Sequence, residues 1–231
     1  MIQQLSKRLE AVASFVTTGN RVADVGTDHG YVPIYLVHTG KVPYAIAMDI
    51  NKGPLLSADA NIKKFGLEKS IETRLSNGLR AYNLDEADSV IIAGMGGGLI
   101  IEILSESLDK LTGLELILSP QSDIELVRRF LCDNHFEIVE ETMLIDDGKY
   151  YTIIKATEGE CRYDSIEEYR YGRLLLLEKN PVLHMFLGRE LEKKTEIEAI
   201  IKASGGDASI RRLEEIAEEK AVIEKALLYY S

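Results

Sequence analysis

The chain has 231 residues, 45% of them apolar, which suits a buried core and excludes an intrinsically disordered protein. No apolar run reaches transmembrane length, and the opening MIQQLSKRLEAV lacks the apolar stretch and small-residue cleavage site of a secretory signal. We therefore expect a cytoplasmic protein with no membrane partner. The net charge of -11 argues against a general polyanion binder.

The charge is unevenly spread. Residues 1–80 carry ten Lys/Arg against seven Asp/Glu, residues 81–160 five against seventeen, and residues 161–231 twelve against fourteen. An RNA-facing surface can still be assembled from the first third and from basic patches in the last.

Apolar residues at Leu5, Leu9, Val12, Ala13 and Val16 recur at helical spacing, and Gly19-Asn20 ends that first helix. Val22–Val25 reads as a short buried strand, followed by a turn over Gly26–Gly30 and a helix from Tyr31, with Pro33 in its first turn. Tyr44–Met48 predicts a second strand ending on Asp49. Gly53–Phe65 predicts a helix stopped by Gly66, and Ile71–Leu75 a third strand. Ser89–Ile92 is a fourth strand running into Gly94-Met95-Gly96-Gly97-Gly98, with a helix over Leu99–Leu108. Leu114–Leu118 is a fifth strand, followed by Ser119-Pro120-Gln121 and a helix over Ile124–Cys132. Phe136–Ile145 and Tyr150–Ile154 flank the hairpin signal Asp146-Asp147-Gly148-Lys149. Cys132 and Cys161 stand far apart with no ligand spacing, so we expect reduced thiols and no metal site.

Strands alternating with helices, then a closing hairpin, predict an α/β fold with a mostly parallel seven-stranded sheet and an antiparallel edge. That pattern resembles the Rossmann-like methyltransferase architecture. After Thr157 the pattern turns all-helical. Tyr163–Lys179 predicts one helix, stopped by Asn180-Pro181. Leu183, Leu187, Leu191, Ile197 and Ile201 form one apolar seam. Ile210, Leu213, Ile216, Ala217, Ile223 and Leu227 form another, and Ser204-Gly205-Gly206-Asp207 joins them. They predict an antiparallel, coiled-coil-like helical hairpin. The expected division is 1–157 as a catalytic domain and 158–231 as a helical domain.

The chemistry concentrates at strand ends. Asp24-Val25-Gly26-Thr27-Asp28-His29-Gly30 turns a strand sharply into a helix, with small residues that admit a ligand close to the backbone. A nicotinamide fingerprint would read G-x-G-x-x-G. Here Gly26, Asp28 and Tyr31 fill the three glycine positions. A carboxylate at residue 28 repels a pyrophosphate and tolerates a sulfonium and an amino group, which favours S-adenosylmethionine. The competing reading is an ordinary strand–turn–helix corner. Asp49-Ile50, about 20 residues further on, suits a ribose diol, against a helix-capping Asp. Asn77-Gly78 suits an adenine edge, against a plain turn. Ala93-Gly94-Met95-Gly96-Gly97 is glycine-dense at a strand's carboxyl end, where ligands bind in such sheets and backbone N–H groups can form a concave donor site.

Together these segments resemble the bacterial tRNA (adenine(22)-N1)-methyltransferase family over nearly the whole chain. The resemblance rests on Ser6-Lys7-Arg8-Leu9, Asp24 through Pro33, Gly53-Pro54-Leu55, Asn77-Gly78-Leu79, Ile92 through Gly97, Pro120, Asp147-Gly148-Lys149-Tyr150-Tyr151 and the helical hairpin. It departs at Ser119-Pro120-Gln121, where members often carry Gln-Pro-Asn. The resemblance implies S-adenosylmethionine as methyl donor and tRNA as partner, with N1 of adenine 22 as acceptor.

Adenine N1 carries a lone pair, so it attacks without prior deprotonation, and the product ring is cationic. We therefore expect Asp28 to stabilise the developing charge, Tyr31 to stack on or shield the base, and Gly94-Met95 to line the reacting centre. A lone His29 is more often structural than a ligand. Lys7-Arg8, Pro120-Gln121, Lys193-Lys194 and Arg211-Arg212 are the expected RNA contacts, each basic pair weighed against a solvated helix face. The competing functions are a methyltransferase of another substrate, a nicotinamide-dependent oxidoreductase, and a non-catalytic RNA-binding scaffold. The sequence sets no oligomeric state.

Overall fold

The computed structural model describes residues 5–204 and 207–231. The chain divides into two compact units, the first closing at Cys161 and the second spanning Arg162–Ser231.

The first unit is built on a seven-stranded sheet of β1 (Val22–Val25), β2 (Ala45–Asp49), β3 (Ile71–Leu75), β4 (Ser89–Ala93), β5 (Glu115–Ser119), β6 (Phe136–Asp146) and β7 (Lys149–Glu158). Their order is β3-β2-β1-β4-β5-β7-β6, so the chain reverses its direction of travel across the sheet between β1 and β4. β1 to β5 are parallel, and β7 runs antiparallel to both β5 and β6. Helices α1 (Lys7–Phe15), α2 (Tyr31–His38), α3 (Lys52–Phe65), α4 (Gly97–Ser105) and α5 (Ile124–Asp133) connect and cover it.

Side chains alternate across each strand, so each strand feeds two cores. Val22, Ala45, Ala47, Ile91, Ile117 and Ile153 join one cluster with Val12, Phe15, Ile34, Leu36 and Ile62 of α1, α2 and α3. Their neighbours Ala23, Ile46, Val90, Ile92, Leu116 and Leu118 are also buried, and β1 and β5 are buried from end to end, the polar Asp24, Glu115 and Ser119 included. β6 instead alternates buried and exposed residues near its start, and a bulge lies between Ile138 and Glu140.

Two expectations change in this unit. α4 starts at Gly97 rather than Leu99, because the glycine cluster itself supplies the first helical turn. Cys132 and Cys161 are not free thiols. They form a disulfide with Cα atoms 4.7 Å apart. The physical reason is the hairpin: Phe136 pairs with Glu158, so residues just outside the two strands return to the same place. Among the described residues no helix is long and apolar enough to cross a membrane, and no cluster of His, Cys, Asp or Glu is arranged to hold a metal ion.

In the second unit, the single helix expected over Tyr163–Lys179 is two: α6 (Ile166–Tyr171) and α7 (Arg173–Leu177). Gly172 separates them with φ +95°, a conformation that L side chains rarely adopt. α8 (Pro181–Ser204) and α9 (Asp207–Leu227) then pack side by side. Asn180 Oδ1 accepts the N–H groups of Val182 and Leu183, both at 3.0 Å, and Pro181 occupies the first helical position, so the stop of one helix is the start of the next. Leu183, Leu187, Ile216, Ile223 and Ala226 are buried. Ile210 and Ala217 are exposed and drop out of the expected seam. Lys220 Nζ reaches Glu198 Oε2 at 2.8 Å across the pair, and Lys194 reaches Glu219. Gly205 and Gly206 of the expected loop lie outside the described residues.

Candidate active site

A cleft of about 480 Å³ opens at the carboxyl ends of β1 to β4, lined in part by Gly26, Asp28, Asp49, Asn77, Gly94 and Met95. It lies where the strand order reverses, the usual ligand crevice of an open α/β sheet.

β1 ends at Val25, and the N–H groups of Gly26 and Thr27 both donate to Met48 O at 2.8 Å, pinning the turn onto β2. Gly26 has φ +76°, and a methyl group there would collide with Met95 Cε. The Asp28 side chain is 82% exposed, with His29 Nε2 3.2 Å from Oδ1. The N-cap of α2 is Gly30, and no side chain caps this helix, so Asp28 is no helix cap. His29 stacks on Tyr31 with ring centroids 5.4 Å apart.

Asp24 is buried beneath this turn. Burial, then the neighbouring carboxylates of Asp49 and Asp28, push its carboxyl up to about 6. Asp49 ends β2, and its Oδ1 accepts the N–H of Asn51 at 2.7 Å, which fixes the carboxylate at the cleft wall. The N-cap of α3 is Asn51 rather than Asp49. Ser76 Oγ donates to Gly78 O at 2.7 Å and accepts the Ala81 N–H at 3.1 Å, which locks the Asn77-Gly78 turn.

The loop after β4 differs from the expected donor cradle. Gly94 N–H donates to Ser119 O at 3.1 Å, and Gly97 N–H donates to Ser122 O at 3.0 Å. The Gln121 N–H donates to Met95 O at 2.9 Å. Two of the loop's N–H groups are therefore spent within the protein. A methyl group on Gly97 would overlap Ser122 O, and one on Gly96 would lie 3.2 Å from Ser122 Oγ. Much of the glycine density thus lets the loop after β5 approach, and Gly94 (φ +86°) alone of these three turns toward the cleft.

Of the residues expected on the cofactor, Gly26, Asp28, Asp49, Ile50, Asn77, Gly78, Ala93, Gly94 and Met95 line the cleft. Asp24, Thr27, His29, Gly30 and Gly96 do not. Asp24 and Thr27 are buried, and Gly30 packs on Ala58, where a methyl group would sit 3.2 Å from its Cβ. Tyr31, expected over the base, is not a lining residue either.

Of the expected RNA contacts, Gln121 lines the cleft and Pro120 does not. Lys7 is exposed. Lys193 stands 4.0 Å from Glu190, Arg211 3.6 Å from Glu215 and Arg212 2.7 Å from Glu215. Arg8 enters the cleft, with its guanidinium carbon 5.3 Å from the Tyr151 ring centroid and its backbone N–H donating to Asp146 Oδ2 at 3.1 Å. Sequence reasoning missed Val25, Asn51, Ser76, Leu99 and Ile103 as lining residues. The signal for Asn51 and Ser76 was adjacency to Asp49 and Asn77. Leu99 and Ile103 share one face of α4, a signal that needed the correct helix start.

The methyltransferase domain family matches residues 5–154. The chain is 37% identical to the tRNA (adenine(22)-N(1))-methyltransferase of Bacillus subtilis strain 168, over 97% of each protein. The crystal structure of the B. subtilis m1A22 tRNA methyltransferase TrmK is similar at a TM-score of 0.88 and 34% identity, covering 97% of this chain and 99% of that one. The structure of M. capricolum TrmK in complex with S-adenosyl-homocysteine is similar at a TM-score of 0.86 and 30% identity, covering 98% and 99%. With a methyltransferase domain over most of its length and a relative this similar from end to end, the chain belongs to the tRNA (adenine(22)-N(1))-methyltransferase family.

Proposed function

We propose that this protein transfers a methyl group from S-adenosylmethionine to N1 of adenine 22 in tRNA, in the cytoplasm. The observation that carries the reading is the cleft at the β1/β4 reversal, held by a chain of this family. Its residues fit the donor. Asp49 is fixed at the end of β2, where a carboxylate accepts ribose hydroxyls. Asn77 and Gly78 offer an amide and a close backbone beyond it. Gly26 lacks the side chain that would fill the cleft beside Met95. Two carboxylates, Asp28 and Asp49, suit a ligand bearing a sulfonium and an ammonium.

S-adenosylmethionine, when bound, supplies the electrophilic methyl group. The protein's part is positional and electrostatic. Adenine N1 needs no base to remove a proton, so the site must hold the ring in line and accept the positive charge that grows on it. Asp28, exposed at the cleft mouth, is the carboxylate placed to do the second. Gly94, Met95 and Gln121 form the wall against which the base would be held. The base must leave its stack to enter.

We assign cofactor binding to the first unit and tRNA docking to the second, where Lys193, Lys194, Arg211 and Arg212 supply phosphate contacts. A chain ending near Cys161 should keep S-adenosylhomocysteine affinity and lose tRNA turnover.

The test is incubation of the purified protein with S-adenosylmethionine and tRNA transcripts, then nucleoside mass spectrometry and primer extension. We expect 1-methyladenosine with a stop at position 22, and none when that adenine is replaced by guanine. Methylation elsewhere would shift the reading to another substrate. Binding of NAD without binding of S-adenosylhomocysteine would make the protein an oxidoreductase.

A further inference from the structure

Cys132 and Cys161 are the chain's two cysteines, and their disulfide stands at a joint. Cys161 is the last residue of the first unit. Just before it, Gly159 N–H donates to His135 O at 2.8 Å and so extends the β6–β7 pairing past Phe136 and Glu158. Just after it, the backbone is tied into the second unit: Arg162 O accepts from Arg173 Nη1, and Asp164 N–H donates to Glu168 Oε2 at 2.7 Å. The joint is therefore Glu160 and Cys161, and the disulfide fastens it to the last turn of α5. Both cysteines are half-buried, so a small reductant can reach them. α5 has a second tie that reduction leaves alone, the buried Arg128–Glu141 pair to β6. The hairpin register likewise keeps the two cysteine positions near each other without help from the sulfurs, so a broken bond can re-form.

We infer that Cys132 and Cys161 are a reversible thiol–disulfide couple that governs how firmly tRNA is engaged. The inference rests on the reading of the second unit as the tRNA-docking part. With the disulfide closed, the joint is fixed at Cys161. With it open, the joint regains backbone freedom, and ordering it again on the tRNA costs binding energy. The cofactor cleft is spared, because it is built at the ends of β1 to β4 and α5 keeps its tie to β6. The reductant is a dithiol. One of its thiolates attacks a protein sulfur, the S–S bond breaks, and the displaced cysteine thiolate takes up a proton. The second thiol of the reductant then displaces the other cysteine from the mixed disulfide, which leaves two protein thiols and the oxidised dithiol. Oxidation by glutathione disulfide runs the exchange in reverse. A permanent staple is the competing role. It fits less well in the cytoplasm, where disulfides are mostly transient and redox-sensing, and in a hairpin that its strands already hold closed.

The test uses the full chain without denaturant, dithiothreitol as the dithiol and oxidised glutathione as the oxidant. Mass spectrometry after thiol alkylation should show no label at first, both cysteines labelled after reduction, and none again after reoxidation. The KM for tRNA of the reduced form should exceed that of the oxidised form by about threefold or more, the scale for ordering a residue or two of backbone. Its kcat and its affinity for S-adenosylhomocysteine should be unchanged. Cys132→Ser and Cys161→Ser should each behave like the reduced wild type and ignore dithiothreitol, which separates the protein's response from any effect of the reductant on the assay. Equal KM values for the two forms, with only the Tm lowered by reduction, overturn the inference and make the bond a staple. So does a disulfide that opens only in denaturant. A change in S-adenosylhomocysteine affinity on reduction overturns it too, because the effect would then lie at the cleft. If neither form methylates tRNA, the tRNA reading fails and takes this inference with it, an outcome seen in the oxidised wild type before any comparison is made.

Discussion

Gly26 and Met95 face each other across the cleft so closely that the absent side chain of one is the space occupied by the other. The two belong to different glycine turns, after β1 and after β4, so the pair couples the halves of the site. Gly26→Ala meets the left-handed φ of +76° and also requires the terminal methyl of the flexible Met95 side chain to swing aside. The first is worth roughly 1 kcal/mol, a fall of about 2–4 °C in Tm for a protein of this size. Affinity for S-adenosylhomocysteine should fall by about tenfold or more. A Gly26→Ala/Met95→Ala cycle apportions the effect. A smaller loss of stability in the Met95→Ala background assigns part of it to the collision, and an equal loss assigns all of it to backbone conformation.

Asp28 makes no cap for α2, so its carboxylate is available for chemistry. Asp28→Ala should lower single-turnover methylation by a factor on the order of 100, the scale for losing one preorganised electrostatic group, with Tm nearly unchanged. Asp28→Asn keeps the shape but removes the charge, and should be almost as slow. Methylation by Asp28→Asn near the wild-type rate would reject the electrostatic role.

Asp24 carries a stability cost that rises with pH. Its folded carboxyl titrates at about 6, above the ordinary value near 3.8, so the native state holds a proton that the unfolded chain has released between those values. Stability from this group is complete below about pH 4 and lost as pH rises through 6. Asp24→Asn cannot ionise and should gain about 2–3 kcal/mol over the wild type at pH 7, with the gap closing toward pH 4. Urea unfolding of both proteins across that range measures it. A gap independent of pH would mean that Asp24 does not titrate there.

Arg128 and Glu141 form an ion pair with side chains 1% and 0% exposed, joining α5 to β6 at 2.8 Å. Removing one partner strands a buried charge, so Arg128→Met or Glu141→Leu should destabilise by about 3–5 kcal/mol. Arg128→Met/Glu141→Leu together should recover much of that loss. A double variant as unstable as the sum of the singles would show that the pair is not mutually dependent.

The sheet was legible because most of its parallel strands are short and largely apolar and are followed by glycine or an acid, as at Val22–Gly26 and Ala45–Asp49. Asp49 and Asn77 were legible for the same reason, since a strand's end fixes where the next residues point. Arg8 was not. Its reading as a phosphate contact followed from the basic pair Lys7-Arg8, whereas its place in the cleft depends on where α1 crosses the sheet, which no local pattern encodes. Gly96 was expected on the cofactor but packs toward Ser122, because a glycine that serves a ligand and one that serves a neighbouring chain segment look identical in sequence. The disulfide was implicit in the hairpin register but invisible in the spacing of its cysteines. The break at Gly172 hung on one positive φ in an otherwise helical pattern.

The strand order also sets a timetable. The central pairing of β1 with β4 aligns Val22 with Ser89, and beside it Arg21 bonds Asp88, 67 apart in the chain, while the β6–β7 hairpin closes over a two-residue turn. Closing the longer loop carries the larger entropic penalty, so β1 waits for a partner that is translated well after it. At ribosomal speeds of about 5–20 residues per second, that wait lasts several seconds. During it the apolar edge of β1 and the unfinished glycine turn beside it are open to other chains. The reversal that creates the cleft is therefore also a step during which the nascent chain carries an open strand edge.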